Sequence, residues 1–312
     1  MARLLDDMRA WGRLVMPGFI VKEDLWGQHA GAIWELLEGK RWPLPVIVAD
    51  NVADYYFSGT DQEIWDLGTD FANMAPPFPL FWVEHKLPSL IRSRVHGDSD
   101  LSILGPRGRM GVLVAGLDPE QVRVADGELL PGTRWVLSLE VFIEYGFQPG
   151  EVQGPHGTIF LCLDADGRLL GKSWMQGYHD PETNDLVVAF IAYTHPTLLA
   201  ISFMHCKNVR VVDEQVPPKL AKRYAERHAG LRPTNYKTIV IEPMKAVLRR
   251  TQQEHGVGHR AALHICRGHF KDYRTGAGLF GKYHGTFWWD QAVHGTKSQT
   301  PPAREYAVKL DK

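Results

Sequence analysis

Two apolar runs, residues 158–164 and 169–175, flank Ala165-Asp166-Gly167-Arg168, and no other feature constrains the fold as much. Runs of branched and aromatic residues broken by a short Asp-Gly turn pair as an antiparallel hairpin, with Gly167 free to take the positive φ that the turn needs. A lone hairpin is barely stable in water, so further strands must complete an apolar face. Candidates are Val46–Val48, APPFPLFWVEHKLP, residues 110–115, 135–143, 186–195 and 208–212, and TNYKTIVIEP. The prolines of APPFPLFWVEHKLP place that strand at a sheet edge or make them its leading residues. Leu4, Met8, Trp11 and Val15 recur at spacings of three and four, which predicts a helix ended by Pro17-Gly18. Further helices are expected over residues 24–38, as a short buried helix over 196–205, and in the basic segment KLAKRYAERHAG. The reading is an α+β chain with N-terminal helices, a central antiparallel sheet, and a basic C-terminal helix and β-hairpin.

Charge divides this chain. Residues 1–216 hold 17 Lys+Arg against 29 Asp+Glu, a balance of −12; residues 217–312 hold 18 against 7, a balance of +11. The expected organisation is therefore an acidic α+β body, 1–216, and a basic segment, 217–312, that packs on it. Such polarity fits a body that folds and a segment that meets an anion, or a basic segment that docks on its own acidic body. Cys162, Cys206 and Cys266 are distant in sequence and form no CxxC, which excludes a disulfide framework or a cysteine-rich zinc module and fits a reducing cytoplasm. No run is apolar enough for a transmembrane helix, and no secretory signal is recognisable, so no membrane partner is expected.

The segment LHICRGHFKDYRTGAGLFGKYHGTFWWDQAVHG carries the densest chemistry. Strand alternation places Arg267, His269, Lys271 and Tyr273 on one face, joined from the returning strand by Lys282, His284 and Trp288. Cys266, Phe270, Tyr283, Phe287 and Trp289 would form the other, apolar face. Cations neutralise phosphates and flat rings stack on bases, so Arg267, His269, Lys271, Tyr273, Lys282, His284 and Trp288 are the candidate contacts to DNA or RNA. A solvated charged face above an aromatic core gives the same pattern.

Three readings apply to the histidines. Zinc on Cys266 with His264, His269 or His284 is disfavoured because the alternation puts His269 and His284 opposite the cysteine, and neither a metal nor any other cofactor is expected. His269 and His284 could act as a general acid–base pair of a metal-independent nuclease. They could also be polar surface or phosphate contacts. Nucleotide-binding, serine-hydrolase and zincin signatures are absent from the sequence. The turn LGPRGRMG could cradle a phosphate, and the carboxylates of HDPETND could hold a cation or form a solvated loop.

Pro233, Tyr236, His264, Arg267, Gly268, His269, Trp288, Trp289 and Gly295, with the APPF…E segment upstream, form a pattern that resembles a loose group of uncharacterised phage and prophage proteins. The resemblance covers about a third of the chain. It implies a mobile-element origin and no particular activity, and Glu226 and Ala229 dilute the basic helix relative to that group. The function expected is a phage or mobile-element accessory protein that binds nucleic acid through the C-terminal hairpin. The alternatives are a factor that engages a host or viral protein through the acidic body, and the histidine nuclease; a non-enzymatic role is preferred.

Overall fold

The computed structural model describes residues 4–11, 14–15, 44–57, 70–87, 108–122, 129–144, 152–153, 158–176, 184–228, 230, 232–241, 264–266, 268–279, 281–289 and 292–294. Helix α1 (Leu4–Trp11) leads into strand β1 (Leu14–Val15), then β2 (Val46–Val48), α2 (Asp50–Phe57), β3 (Leu80–Lys86), β4 (Arg109–Leu117) and β5 (Trp135–Glu144). Next come β6 (Val152–Gln153), β7 (Thr158–Leu163), β8 (Leu169–Gln176), α3 (Asn184–Met204), β9 (Val209–Glu214), α4 (Pro218–Arg227) and β10 (Tyr236–Ile241). Four short strands close the described chain: β11 (His264–Cys266), β12 (His269–Asp272), β13 (Thr286–Trp289) and β14 (Ala292–His294). The chain thus has mixed α and β content around one large sheet. None of the described helices is long and apolar enough to cross a membrane.

Ten strands form that sheet, in the order β1-β6-β5-β4-β3-β2-β10-β9, with β7 pairing β5 and β8 beyond it. The β7–β8 hairpin turns where expected, with Gly167 at φ 76°. The sheet is mixed rather than purely antiparallel: β2 runs parallel to β3 and to β10, and β1 parallel to β6. β3 lies between β2 and β4, so Pro76, Pro77 and Pro79 precede a central strand and remove no ladder donor from it. β10, drawn from the basic segment, lies between β2 and β9.

Alternation gives the sheet two covered faces. Phe81, Val83, Val112, Val114, Leu137, Leu139 and Val141 meet Val52 of α2 and Leu198, Leu199, Ile201 and Phe203 of α3. Trp82, Leu113 and Phe142 point the other way and meet Leu4, Leu5 and Met8 of α1. Gly111 is required beneath that helix, because a Cβ there would sit 2.1 Å from the Trp82 ring and 2.5 Å from Leu4 Cδ2.

Two segments depart from the sequence reading. Helix α1 ends at Trp11, and Leu14–Val15, expected within that helix, form β1. Residues 186–195, expected as a strand, belong to α3, a helix that continues through Pro196. Residues 194–203 are all buried, so helix α3 shows no polar stripe there and its branched and aromatic content imitates a strand. Pro196 supplies no amide donor to the carbonyl one turn earlier, and packing on the sheet holds the helix together across it. The residues after β2, 50–57, form α2, with Val52 and Ala53 turned to the core. The expected helix over 24–38 lies outside the described residues.

The α1 face also buries charge. Glu84 is fully buried and accepts from Leu5 N, Trp82 Nε1 and Arg109 Nη2 at 3.2, 3.2 and 3.0 Å. Arg109 also reaches Asp50 Oδ1 at 3.3 Å, so the second arginine of LGPRGRMG serves this internal ion pair. Asp7 sits nearby, and burial, followed by the charges of Glu144, Asp6 and Glu84, pushes its carboxyl up to about 7. Thr234 N donates to Asp6 Oδ1, and Tyr224 Oη to Asp6 O, tying the basic helix and the start of β10 to α1.

Candidate anion-binding groove

The groove is built on the turn that follows α3. Cys206 points inward, 4% exposed, its thiol donating to Ser202 O and pushed up to about 12 by burial. The side chains on either side of it, His205 and Lys207, line one cavity, with Lys207 exposed. Asn208, next in the chain, is buried again. Its Nδ2 donates to Trp288 O and its Oδ1 accepts from Trp288 N, both at 2.8 Å, so one amide side chain does the work of a strand neighbour for β13. Lys207 N adds a bond to Thr286 O at 2.9 Å. These bonds fix the β12–β13 hairpin against the turn.

Trp288 anchors the same junction from within. It is 2% exposed and packs edge-on against Phe203, Tyr55 and Phe270, with ring centroids 4.9, 5.5 and 4.7 Å away. This corrects the sequence reading, which put Trp288 on the cationic face as a stacking platform. In the observed register His269 pairs with Trp289, Phe270 with Trp288 and Lys271 with Phe287, so His269, Lys271, Phe287 and Trp289 share the outer face and Phe270 and Trp288 the inner one. A one-residue difference in pairing moved every aromatic of β13 to the other side.

The other candidates fall as follows. His269 is exposed, and Lys271 holds its ammonium 4.5 Å from the centre of the Trp289 ring. Tyr273 is half-buried beside Phe287. Lys282, Tyr283 and His284 are exposed on the hairpin tip, where Leu279 N donates to Tyr283 O and Gly278 takes φ 76° against the His284 ring. Arg267 lies outside the described residues, as does the side chain of Cys266. His269 and His284, paired by the sequence reading, are not brought together in one cavity. His284 instead faces His205 and Lys207.

Those three side chains line a cavity of about 380 Å³ with Asn73, Arg274, Gly285 and Thr286. A second cavity of about 230 Å³ shares Asn73, Arg274 and Thr286 and extends the groove towards Arg168 and Asp272. Gly285, at φ 143°, lets the Lys207 stem pass; a Cβ there would sit 2.7 Å from Lys207 Cγ. His205 Nε2 lies 2.8 Å from Ala75 O. A carbonyl only accepts, so Nε2 carries the hydrogen and, in the neutral ring, the Nδ1 lone pair is the basic atom.

The charges of the groove are unequal in kind. Arg274 is committed: Nε and Nη2 donate to Asp272 at 2.7–3.0 Å and Nη1 to Asp166 at 3.0 Å. Its hydrogen bonds hold the Asp272 carboxyl below the usual range. Arg168 adds a 3.5 Å contact to Asp272. This network is neutral as a set. Lys207, Lys271 and Lys282 have no carboxylate within ion-pair distance among the described residues. Among the described residues of this end of the molecule, they carry positive charge that no carboxylate pairs. Among the described residues no group of three or more His, Cys, Asp or Glu is placed to hold a metal ion.

Sequence reasoning missed His205, Lys207, Asn208 and Arg274. The signal for the first three was the run His-Cys-Lys-Asn directly after an apolar segment, where a buried cysteine leaves the side chains on either side of it to point outward. No protein-family description, curated protein or solved structure matches the chain.

Proposed function

We propose that this chain binds single-stranded nucleic acid at the β12–β13 hairpin, its tip and the adjoining groove. The observation that carries the reading is the set of three lysines, Lys207, Lys271 and Lys282, which have no carboxylate partner among the described residues while the neighbouring Arg274 and Arg168 pair with Asp272 and Asp166. Cations of this kind release counterions when they meet phosphates, which supplies sequence-independent affinity. Tyr283, 39% exposed beside Lys282, offers the ring on which a base can stack. Asp6, Asp7, Glu84 and Glu144 are buried, so this part of the acidic excess is spent inside the fold and adds nothing to a protein-binding surface. An accessory role in a phage or mobile element fits such binding.

The test is retention of single-stranded DNA and RNA as a function of salt. Replacing Lys207, Lys271 and Lys282 together by Ala should reduce the slope of log affinity against log salt by about 2, at about 0.7 per phosphate contact. Tyr283→Ala should weaken binding by about 1–3 kcal/mol and leave that slope in place. Wild-type protein that retains neither polymer at about 50 mM salt refutes the reading.

A further inference from the structure

Resting on that binding reading, the geometry points to a phosphoryl-transfer site for RNA in the 380 Å³ cavity, with His205 and His284 as base and acid and Lys207 as the anion stabiliser. Three features of the cavity converge on this chemistry. Two imidazoles from distant parts of the chain line one space, each on a segment fixed by backbone bonds: His205 by the turn after α3, His284 by the tip hairpin. Their protonation roles are unlike. The Ala75 carbonyl occupies the Nε2 hydrogen of His205 and leaves Nδ1 to accept a proton. His284 is exposed and has no side-chain hydrogen bond among the described residues, so its ring is free to donate. Lys207 stands in the same cavity, and no carboxylate among the described residues pairs with it. The volume is in the range of small-molecule sites and admits a ribose-phosphate unit.

Two histidines and a lysine select RNA over DNA. The nucleophile must come from the substrate, and only ribose offers a hydroxyl beside the phosphorus. His205 Nδ1 takes the proton of the 2′-hydroxyl as O2′ forms its bond to phosphorus. The P–O5′ bond breaks, and the leaving O5′ takes a proton from the His284 imidazolium. Lys207 holds the negative charge that grows on the non-bridging oxygens. The products are a 2′,3′-cyclic phosphate and a 5′-hydroxyl. His205 ends protonated and His284 neutral, and proton exchange with water restores both. No oxidant, reductant or further reactant enters the step.

The experiment incubates the full chain with an end-labelled uridine oligoribonucleotide, and in parallel with the deoxyuridine oligonucleotide of the same length, in EDTA. Retention and cleavage are scored separately. The expected result is retention of both, cleavage of the RNA alone, and cyclic-phosphate ends on its products. His205→Ala and His284→Ala should each slow cleavage by about 10²–10⁴-fold. The wild-type rate should follow a bell-shaped pH profile, which loses its acid limb in H205A and its alkaline limb in H284A. Those limbs report protonation roles whatever the variants do to stability. RNA that is retained but stays intact overturns the transfer site and leaves the binding reading standing. Cleavage with both limbs unchanged in the two variants also overturns it. Failure to retain either oligonucleotide overturns the binding reading itself.

Discussion

Asn208→Ala tests the junction on which the groove depends. The Asn208 side chain is 2% exposed and makes two 2.8 Å hydrogen bonds to the backbone of Trp288. Removing it strands one buried N–H and one buried C=O. Each unsatisfied group costs about 1–3 kcal/mol, so the variant should lose about 2–4 kcal/mol, towards the lower part of the combined range because the groove beside Thr286 admits some water. Asn208→Asp separates the two bonds. It keeps the acceptor for Trp288 N–H but sets a carboxylate oxygen against Trp288 O, and burial disfavours the charged form. The folded-state pKa of that new carboxyl should therefore lie above its unfolded value. Its penalty is small below the unfolded-state pKa, where the protonated acid can donate, grows as pH rises from that value to the raised folded-state pKa, and levels off above it. The measurements are urea unfolding at several pH values and hydrogen exchange of the Trp288 amide. An Asn208→Ala variant within about 0.5 kcal/mol of wild type, a change typical of surface sites, would refute the clamp, and a protected Trp288 amide in it would do so independently.

Trp288→Ala should cost about 3–5 kcal/mol by emptying a core site between Phe203, Tyr55 and Phe270, a loss read by thermal or urea denaturation and absent if the indole faced solvent. Asp7→Asn should match wild-type stability near pH 4 and exceed it increasingly up to about pH 7, because an acid raised to about 7 in the fold costs stability as pH climbs from its unfolded value of 3.8 to that point. The full difference is at most about 4 kcal/mol at 1.36 kcal/mol per pH unit, and denaturation curves at pH 4, 6 and 8 that run parallel would contradict it.

Strand positions were legible where the pattern had a local cause. The β7–β8 hairpin follows from Asp-Gly between two apolar runs, and β3, β4, β5 and β10 follow from their branched and aromatic residues. Helix α3 was hidden because residues 194–203, buried on every side, show none of the periodicity that marks a helix, and Pro196 reads as a terminator. The site was half legible. His269, Lys271, Lys282 and His284 were identified from composition, but their faces depend on a register that the bulky run Thr286-Phe287-Trp288-Trp289 does not fix, since one alternation buries Phe287 and Trp289 and the other buries Trp288. His205 and Lys207 lie some 60–80 residues upstream of the hairpin, and contacts that no sequence pattern marks bring the two together: the Asn208 side chain on the Trp288 backbone and the Lys207 amide on Thr286 O.

The seat of β10 in the sheet has a consequence for how the chain is made. β2 pairs with β10 through Ile47 and Lys237, about 190 residues apart, while its other neighbour, β3, arrives early. At the 5–20 residues per second of protein synthesis, β2 waits roughly 10–40 seconds for that partner. Through that interval Val46-Ile47-Val48 is an apolar edge with open backbone groups, the kind that recruits strands from other chains. β9 cannot relieve it, because β9 reaches the sheet only through β10. Nascent chains should therefore be most prone to aggregate, and most dependent on chaperones, until Tyr236–Ile241 has left the ribosome. Synthesis that stalls before that strand leaves a sheet with its adhesive side uncovered.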